Sequence, residues 1–165
     1  MRTHYAALTH AEMSAKILSD LADSTLEYTV EYEYNKEDND LLTVTAPEAL
    51  AGVQLTLSGS TPDTFVLQYA DASLDFQMDG AVRGLTPADA IGALFSDLGQ
   101  GEPTECARER VRETPVLCLK YETLDQQPAV AKSVWLREDD LAPVCAELFQ
   151  NGRKLLTLFF QQYQE

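Results

Sequence analysis

Apolar residues recur along this chain with two different periods, and each change of period marks a new element. Met13, Ile17 and Leu21 are spaced by four, with Ala11, Ala15 and Leu18 among them. Thr9-His10-Ala11-Glu12 has the spacing of a capping box, with Thr9 as N-cap and Glu12 reaching back. Together they predict a helix over roughly residues 10–21. From Leu26 the period is two. Leu26, Tyr28, Val30, Tyr32 and Tyr34 alternate with Glu27, Thr29, Glu31 and Glu33, as in a half-buried strand. Asp38-Asn39-Asp40 turns the chain, Leu42 and Val44 continue on a return strand, and Pro47 ends it.

Three further alternating runs follow: Val53/Leu55/Leu57, Phe65/Leu67/Tyr69 and Leu74/Phe76/Met78. Consecutive short strands without helices between them indicate an antiparallel meander. A second helix comes next, with Thr86 as cap, Pro87 at its first position, Asp89 in the first turn and Gly99 as terminator. Its apolar stripe is Ile91, Leu94, Phe95 and Leu98. Strands return at Cys106 to Val111, Val116 to Tyr121 and Ala129 to Leu136. Asn151-Gly152 then suits the positive-φ positions of a type I′ hairpin. A two-residue loop there pairs Leu148 with Leu155 and Val144 with Phe159 on one face, leaving Cys145 and Leu158 on the other. The expected architecture is α+β: one domain, residues 1–165, with a long curved antiparallel β-sheet and two main helices packed on one face.

Composition narrows the function classes. Twelve basic residues against 27 acidic ones give a net charge of −15, which argues against nucleic acid as a partner and against docking to an anionic membrane through a basic patch. At 45% hydrophobic residues, the chain is too apolar to be disordered. No apolar run is long enough to span a bilayer as a helix. Cys106, Cys118 and Cys145 lack the spacing of a zinc site or a redox pair. They read as buried thiols, with a Cys106–Cys118 bridge as the alternative should their strands pair closely. His4 and His10 both lie beside the start of the first predicted helix, far from any cysteine in sequence and in no local nucleophile signature, and His10 reads as a solvated first-turn residue.

No phosphate loop or catalytic signature occurs, and Asp38-Asn39-Asp40 lacks the glycine and ligand positions of a calcium loop. Neither metal nor cofactor is expected, nor is an enzyme. Glu27, Glu31 and Glu33 read as a solvated sheet face. Arg108, Arg110 and Arg112 share a strand face, either paired with acidic neighbours or with one directed inward at a ligand. The rings Tyr28, Tyr32, Tyr34, Phe65, Tyr69, Phe76, Trp135 and Phe159 are assigned to the apolar side of the sheet. A curved sheet covered by two helices can leave that side incompletely filled, and such a cavity suits a hydrophobic ligand. Its candidate ligand-binding residues, each on the more apolar phase of its strand, are Leu26, Tyr28, Val30, Tyr32, Leu55, Leu57, Phe65 and Leu67. The helix residues expected to cover them are Ile17, Leu21, Ile91 and Phe95. With its charge and no apolar helix face left over, the chain is expected to be a monomer.

The order of a helix, a long strand pair, Pro47-Glu48-Ala49-Leu50-Ala51-Gly52-Val53 and a further meander resembles the lipoprotein-carrier superfamily, LolA- and LolB-like. Val134-Trp135-Leu136-Arg137, Pro143, Glu147 and the Asn151-Gly152 hairpin are similar to that family's closing strands. The resemblance spans nearly the whole chain and is nearest to the lipoprotein-type members of Gram-positive bacteria. It implies an unclosed β-barrel (a half-barrel) with helices on its concave face plugging the mouth of a hydrophobic cavity. It also implies an extracytoplasmic, membrane-anchored protein with a lipid or acyl-chain ligand or an envelope protein partner. No lipobox cysteine precedes Met1, so the anchor is expected in a segment upstream. The early strands carry Glu and Tyr where the carriers use an inward-pointing arginine. The alternative on the same fold is a protein-interaction or sensor domain whose cavity is filled.

Overall fold

Residues 10–20 form a strand, and the helix expected over 10–21 does not exist. The spacing of four that suggested it belongs equally to a period of two, because i and i+4 share a face in a helix and in a strand. Ala11, Met13, Ala15, Ile17 and Ser19 are all buried, alternating with residues open to solvent or half-covered. Leu18 is therefore on the opposite face from Ile17, and Leu21 is exposed in the turn beyond the strand. Thr9 caps nothing: its carbonyl accepts a bond from the Lys36 N–H at 2.9 Å, which ties it to the neighbouring strand. The helix former Ala and the unbranched Met and Lys are overruled here by pairing on both sides, since propensity differences are below about 1 kcal/mol per residue.

The computed structural model describes residues 1–58, 64–77, 82–123 and 128–165. Among them are two α-helices, α1 (Arg2–Ala7) and α2 (Ala90–Gln100). The first six strands are β1 (His10–Asp20), β2 (Thr25–Asn35), β3 (Asn39–Ala46), β4 (Gln54–Ser58), β5 (Thr64–Tyr69) and β6 (Ala72–Gln77). The other five are β7 (Glu105–Val111), β8 (Thr114–Thr123), β9 (Val130–Arg137), β10 (Pro143–Gln150) and β11 (Arg153–Gln164). Met78, the last position of the third alternating run, lies outside the described residues.

All eleven strands make one antiparallel sheet in the order β6-β5-β4-β3-β2-β1-β11-β10-β9-β8-β7. Two meanders therefore meet at the β1–β11 pair, and the sheet is unclosed, with β6 and β7 at its edges. The segment carrying α2 connects one edge to the other. One face of the sheet and α2 share a single hydrophobic core, in which Ile17, Tyr32, Leu42, Leu136 and Leu158 meet Ile91, Leu94 and Leu98. Thus Ile91 and Phe95 cover the sheet as expected, whereas Ile17 belongs to the sheet itself. The helices number two among the described residues, but α1 is a six-residue helix, Arg2–Ala7, that ends before the predicted one would begin. Its Tyr5 is buried, stacks edge-on against Phe95 at 5.6 Å and donates its hydroxyl to the Leu141 carbonyl at 2.6 Å.

The second helix starts later than the sequence places it: α2 begins at Ala90, with Asp89 as its N-cap and no side-chain cap bond. Thr86, Pro87 and Asp89, expected as cap, first position and first turn, form the turn that leads into it. Thr86 and Asp89 bond reciprocally: the Thr86 N–H donates to Asp89 Oδ1 at 3.1 Å, and the Asp89 N–H donates to Thr86 Oγ1 at 3.4 Å. Gly99 does not terminate α2, which runs on to Gln100 with Gly101 as its C-cap. A Cβ at Gly99 would lie 3.3 Å from the Tyr5 carbonyl oxygen, so its role is the close approach of α1.

The closing hairpin forms as expected, with Asn151 at φ 51° and Gly152 at φ 78°. A bulge between Leu148 and Phe149 shifts its register by one, however. Leu148 opposes Leu156 rather than Leu155, and Phe159 opposes Cys145 rather than Val144. Leu148 and Leu158 are consequently both buried in the core, while Phe159 is exposed on the other face. We expect Thr86→Ala to lower the unfolding free energy by about 1 kcal/mol, because Asp89 Oδ1 loses the Thr86 hydroxyl that donates to it at 2.6 Å, and Thr9→Ala to change it by less than about 0.5 kcal/mol. Urea denaturation of the two variants checks both values.

Candidate functional site

Strand register brings the eight candidate residues onto one face, the face that α2 covers. Tyr32, Leu42, Leu55, Leu67 and Leu74 oppose one another in a row from β2 to β6. A parallel row runs from Asp40 through Leu57 and Phe65 to Phe76. Val30 and Tyr28 oppose Ala15 and Ile17 on β1, and Leu26 opposes Ser19.

The eight do not share one environment. Val30, Tyr32, Leu55 and Leu57 are buried in the core, whereas Tyr28, Phe65 and Leu67 are half-buried at its margin. Leu26 is 43% exposed at the far end of β2, away from the β4–β6 margin. Beyond Phe65 and Leu67 the same apolar phase continues to Leu74, 54% exposed, and Phe76, 40% exposed. Phe65 and Phe76 stack at 5.2 Å between ring centroids. The face therefore ends in an uncovered apolar shelf on β5 and β6. Leu74 and Phe76 were visible as an alternating run, but only the position of α2 reveals that they lie outside its cover.

Between α2 and the sheet lies a small polar cavity of about 170 Å³, bordered by Tyr32, Asp40, Asp89, Gly92 and Ser96. The Tyr32 hydroxyl donates to Asp40 Oδ2 at 2.6 Å, and the Asn35 N–H donates to Asp40 Oδ1 at 2.8 Å. Asp40 is only 7% exposed. Burial raises its pKa above the ordinary carboxylate value, against the opposing effect of those two bonds. Gly92 makes the arrangement possible, since a Cβ there would come within 2.6 Å of the Tyr32 oxygen and 3.0 Å of Asp40 Oδ2. A second polar tie joins Lys132 of β9 to Asp97 of α2 at 2.6 Å. This cavity is smaller than the ~300–1,000 Å³ typical of ligand pockets. In the sequence Asp40 reads as a turn residue, and no local signal places it beneath a helix.

Elsewhere the side chains carry little chemistry. Cys106 is exposed rather than buried, Cys118 is buried and Cys145 half-buried, and all three are free. A Cys106–Cys118 bridge is ruled out by register, because Cys106 opposes Leu119 and Cys118 opposes Ala107. Burial pushes the Cys118 and Cys145 thiols up to about 11, so neither is a thiolate at neutral pH. Trp135 and Phe159 share the outer face with Cys118 and Cys145, opposite the face assigned to them. The cause is phase: Val134 and Leu136 are the buried partners on β9.

Arg108 is exposed and pairs with Glu138 at 3.3 Å. Arg112 lies in the β7–β8 turn at φ 56°, so the three arginines do not line one strand. His10 is exposed as the first residue of β1, 3.6 Å from Glu12. Glu31 and Glu33, with Glu12, line an open groove of about 390 Å³ on the outer face, in agreement with a solvated face. Among the described residues no group of His, Cys, Asp and Glu is arranged to hold a metal ion. No described helix is long and apolar enough to cross a membrane.

The Tyr32–Asp40–Gly92 contact has measurable consequences. Gly92→Ala should cost about 1–3 kcal/mol by overpacking. The double variant with Tyr32→Phe should lose less than the sum of the single changes, because removal of the hydroxyl makes room for the methyl. Chemical denaturation of the four proteins measures the coupling. The raised pKa of Asp40 means that the folded state binds its proton more tightly than the unfolded chain does. Its contribution to stability is therefore present at low pH and is lost as pH rises from the ordinary carboxylate range through the raised value. Asp40→Asn should remove that component, which denaturation at a series of pH values would show.

No protein-family model matches the chain, and no curated protein matches its sequence. Solved structures do match. An uncharacterized conserved protein from Thermus thermophilus superimposes with a TM-score of 0.60 at 10% identity, covering 99% of this chain and 83% of that one. A chain of the complex between the CwlD amidase and the GerS lipoprotein from Clostridioides difficile gives 0.55 at 16% identity, covering 99% and 90%. A putative outer membrane lipoprotein-sorting protein domain from Vibrio parahaemolyticus gives 0.52 at 12% identity, covering 99% and 88%. The open eleven-stranded meander with two helices, and its match along almost the full length of these chains, make this a LolA/LolB-like fold.

Proposed function

We propose that this chain is a non-enzymatic, extracytoplasmic binding domain that takes a hydrophobic, lipid-like ligand on the apolar face of its unclosed barrel. The observation that carries this reading is the uncovered shelf of Phe65, Leu67, Leu74 and Phe76, continuous with the buried Leu55 and Leu57. In this reading the face beneath α2 is the concave one, and the ligand lies beside the helix instead of under it. An acyl chain burying about ten methylenes there gains about 8 kcal/mol gross, the scale of micromolar binding. The likeness to a lipoprotein-sorting domain supports the same compartment, with attachment to the membrane through a lipidated segment upstream.

A second reading, a protein-interaction or sensor domain, is favoured by the filled interior, since the space under α2 is about 170 Å³ and bordered by two carboxylates. The likeness to a chain of an amidase–lipoprotein complex points the same way.

Titration of a fluorescent fatty acid separates the two readings. Saturable micromolar binding by the wild type is expected, weakened about tenfold or more in Leu74→Glu, because a charge on the shelf opposes burial of the chain. Leu74 is exposed, so circular dichroism should show the fold unchanged. Absence of saturable binding to a panel of lipids would overturn the ligand reading and leave the interaction domain.

A further inference from the structure

The two edges of the open sheet are protected very differently. Edge strand β7 carries Glu105, Arg108, Glu109 and Arg110, and three of these are engaged: Lys120 pairs with Glu105 at 2.6 Å, Arg108 pairs with Glu138 at 3.3 Å and Trp135 donates to Glu109 at 2.8 Å. Charged side chains along an edge discourage pairing with another chain. Edge strand β6, Ala72-Ser73-Leu74-Asp75-Phe76-Gln77, has no Lys, Arg or Pro and a single charge, and every residue in it is exposed. Among the described residues it pairs with β5 alone, on one side.

The register of β5 and β6 tells which backbone groups are open. The two strands are joined by a two-residue loop, Ala70-Asp71, with Tyr69 opposite Ala72. In such a hairpin the pair flanking the loop exchanges both hydrogen bonds, and bonding pairs then alternate along the ladder. Ala72, Leu74 and Phe76 thus bond to β5, while the N–H and C=O groups of Ser73, Asp75 and Gln77 point away from it. Side chains follow the same alternation. Leu74 and Phe76 extend the apolar shelf, and Ser73, Asp75 and Gln77 lie on the outer face.

We propose that β6 is a docking edge that accepts an extended strand of a partner protein as a twelfth strand, apolar residues alternating with neutral or basic ones. The apolar phase of that strand continues the Leu74/Phe76 shelf, and its polar phase faces Asp75. Charge complementarity selects such a partner over a second copy of this chain, since self-pairing would bring together two molecules of charge −15. This goes beyond the lipid-binding reading, because it uses the open backbone and the outer phase of the edge strand.

The test uses a short capped peptide alternating valine and lysine, with a block-ordered peptide of the same composition as control. Hydrogen exchange followed by NMR is expected to show protection of the Ser73, Asp75 and Gln77 amides with the alternating peptide only. Asp75→Pro removes an outward N–H without touching the β5–β6 ladder, and should weaken binding about tenfold. Asp75→Lys should shift the preference to a peptide alternating valine and glutamate. Both variants keep Leu74 and Phe76, so fatty-acid binding is expected to persist in them, and loss of either activity is read separately. Equal affinity for both peptides, full binding by Asp75→Pro, protection elsewhere on the sheet, or a stable dimer of the chain alone in sedimentation would each overturn the proposal.

Discussion

The pairing of β1 with β11 is the constraint on which the rest of the structure depends. It joins two meanders that are separate in sequence, β1 to β6 on one side and β7 to β11 on the other. Each meander is local and could assemble hairpin by hairpin, but neither has more than one face to bury and nothing of its own to bury it against. Joining them through Ile17 and Leu158, both fully buried, makes one continuous apolar surface. That surface is wide enough for a helix to lie across it. The cost is closure of a very long loop, although loop entropy grows only logarithmically with length.

Once the halves are joined, the chain between the two edges has to span the sheet, and α2 is the piece of it that packs on the apolar face. Its stripe supplies the burial, and its polar contacts set where it sits. Gly92 over the Tyr32–Asp40 bond and Asp97 on Lys132 are two anchors with defined geometry, whereas apolar packing alone tolerates sliding. A buried carboxylate such as Asp40 is a poor source of stability. Its value here lies in position. With the helix held there, β2 and β3 are covered and β5 and β6 are left out, so the apolar shelf follows from the placement of α2.

The same placement explains why the outer face carries so much of the charge. An antiparallel sheet covered on one side exposes the other, and Glu12, Glu31 and Glu33 fall on the exposed phase together with Lys16 and Glu27, which pair at 2.7 Å. The apolar surface left uncovered is thereby confined to the margin of the covered face and to the sheet edge beside it. Both features converge on β6, where an exposed apolar phase and an open backbone coincide.

Strands β2 to β6, the stripe of α2 and the closing hairpin were all legible in sequence, because alternation, helical spacing and Asn-Gly turns act over a few neighbouring residues. The apolar phase of the candidate residues was legible for the same reason. What lay beyond reach were the features decided by partners distant along the chain. Residues 10–20 carry a pattern shared by helix and strand, and only the ladders to β2 and β11 decide between them. The bulge at Leu148 reverses the face of Phe159, and a single inserted residue leaves no mark in an alternating pattern. Which of the eight inward residues are core and which are margin depends on where α2 rests. That is a property of the assembled sheet, since a helix of eleven residues can cover only part of a face built from eleven strands.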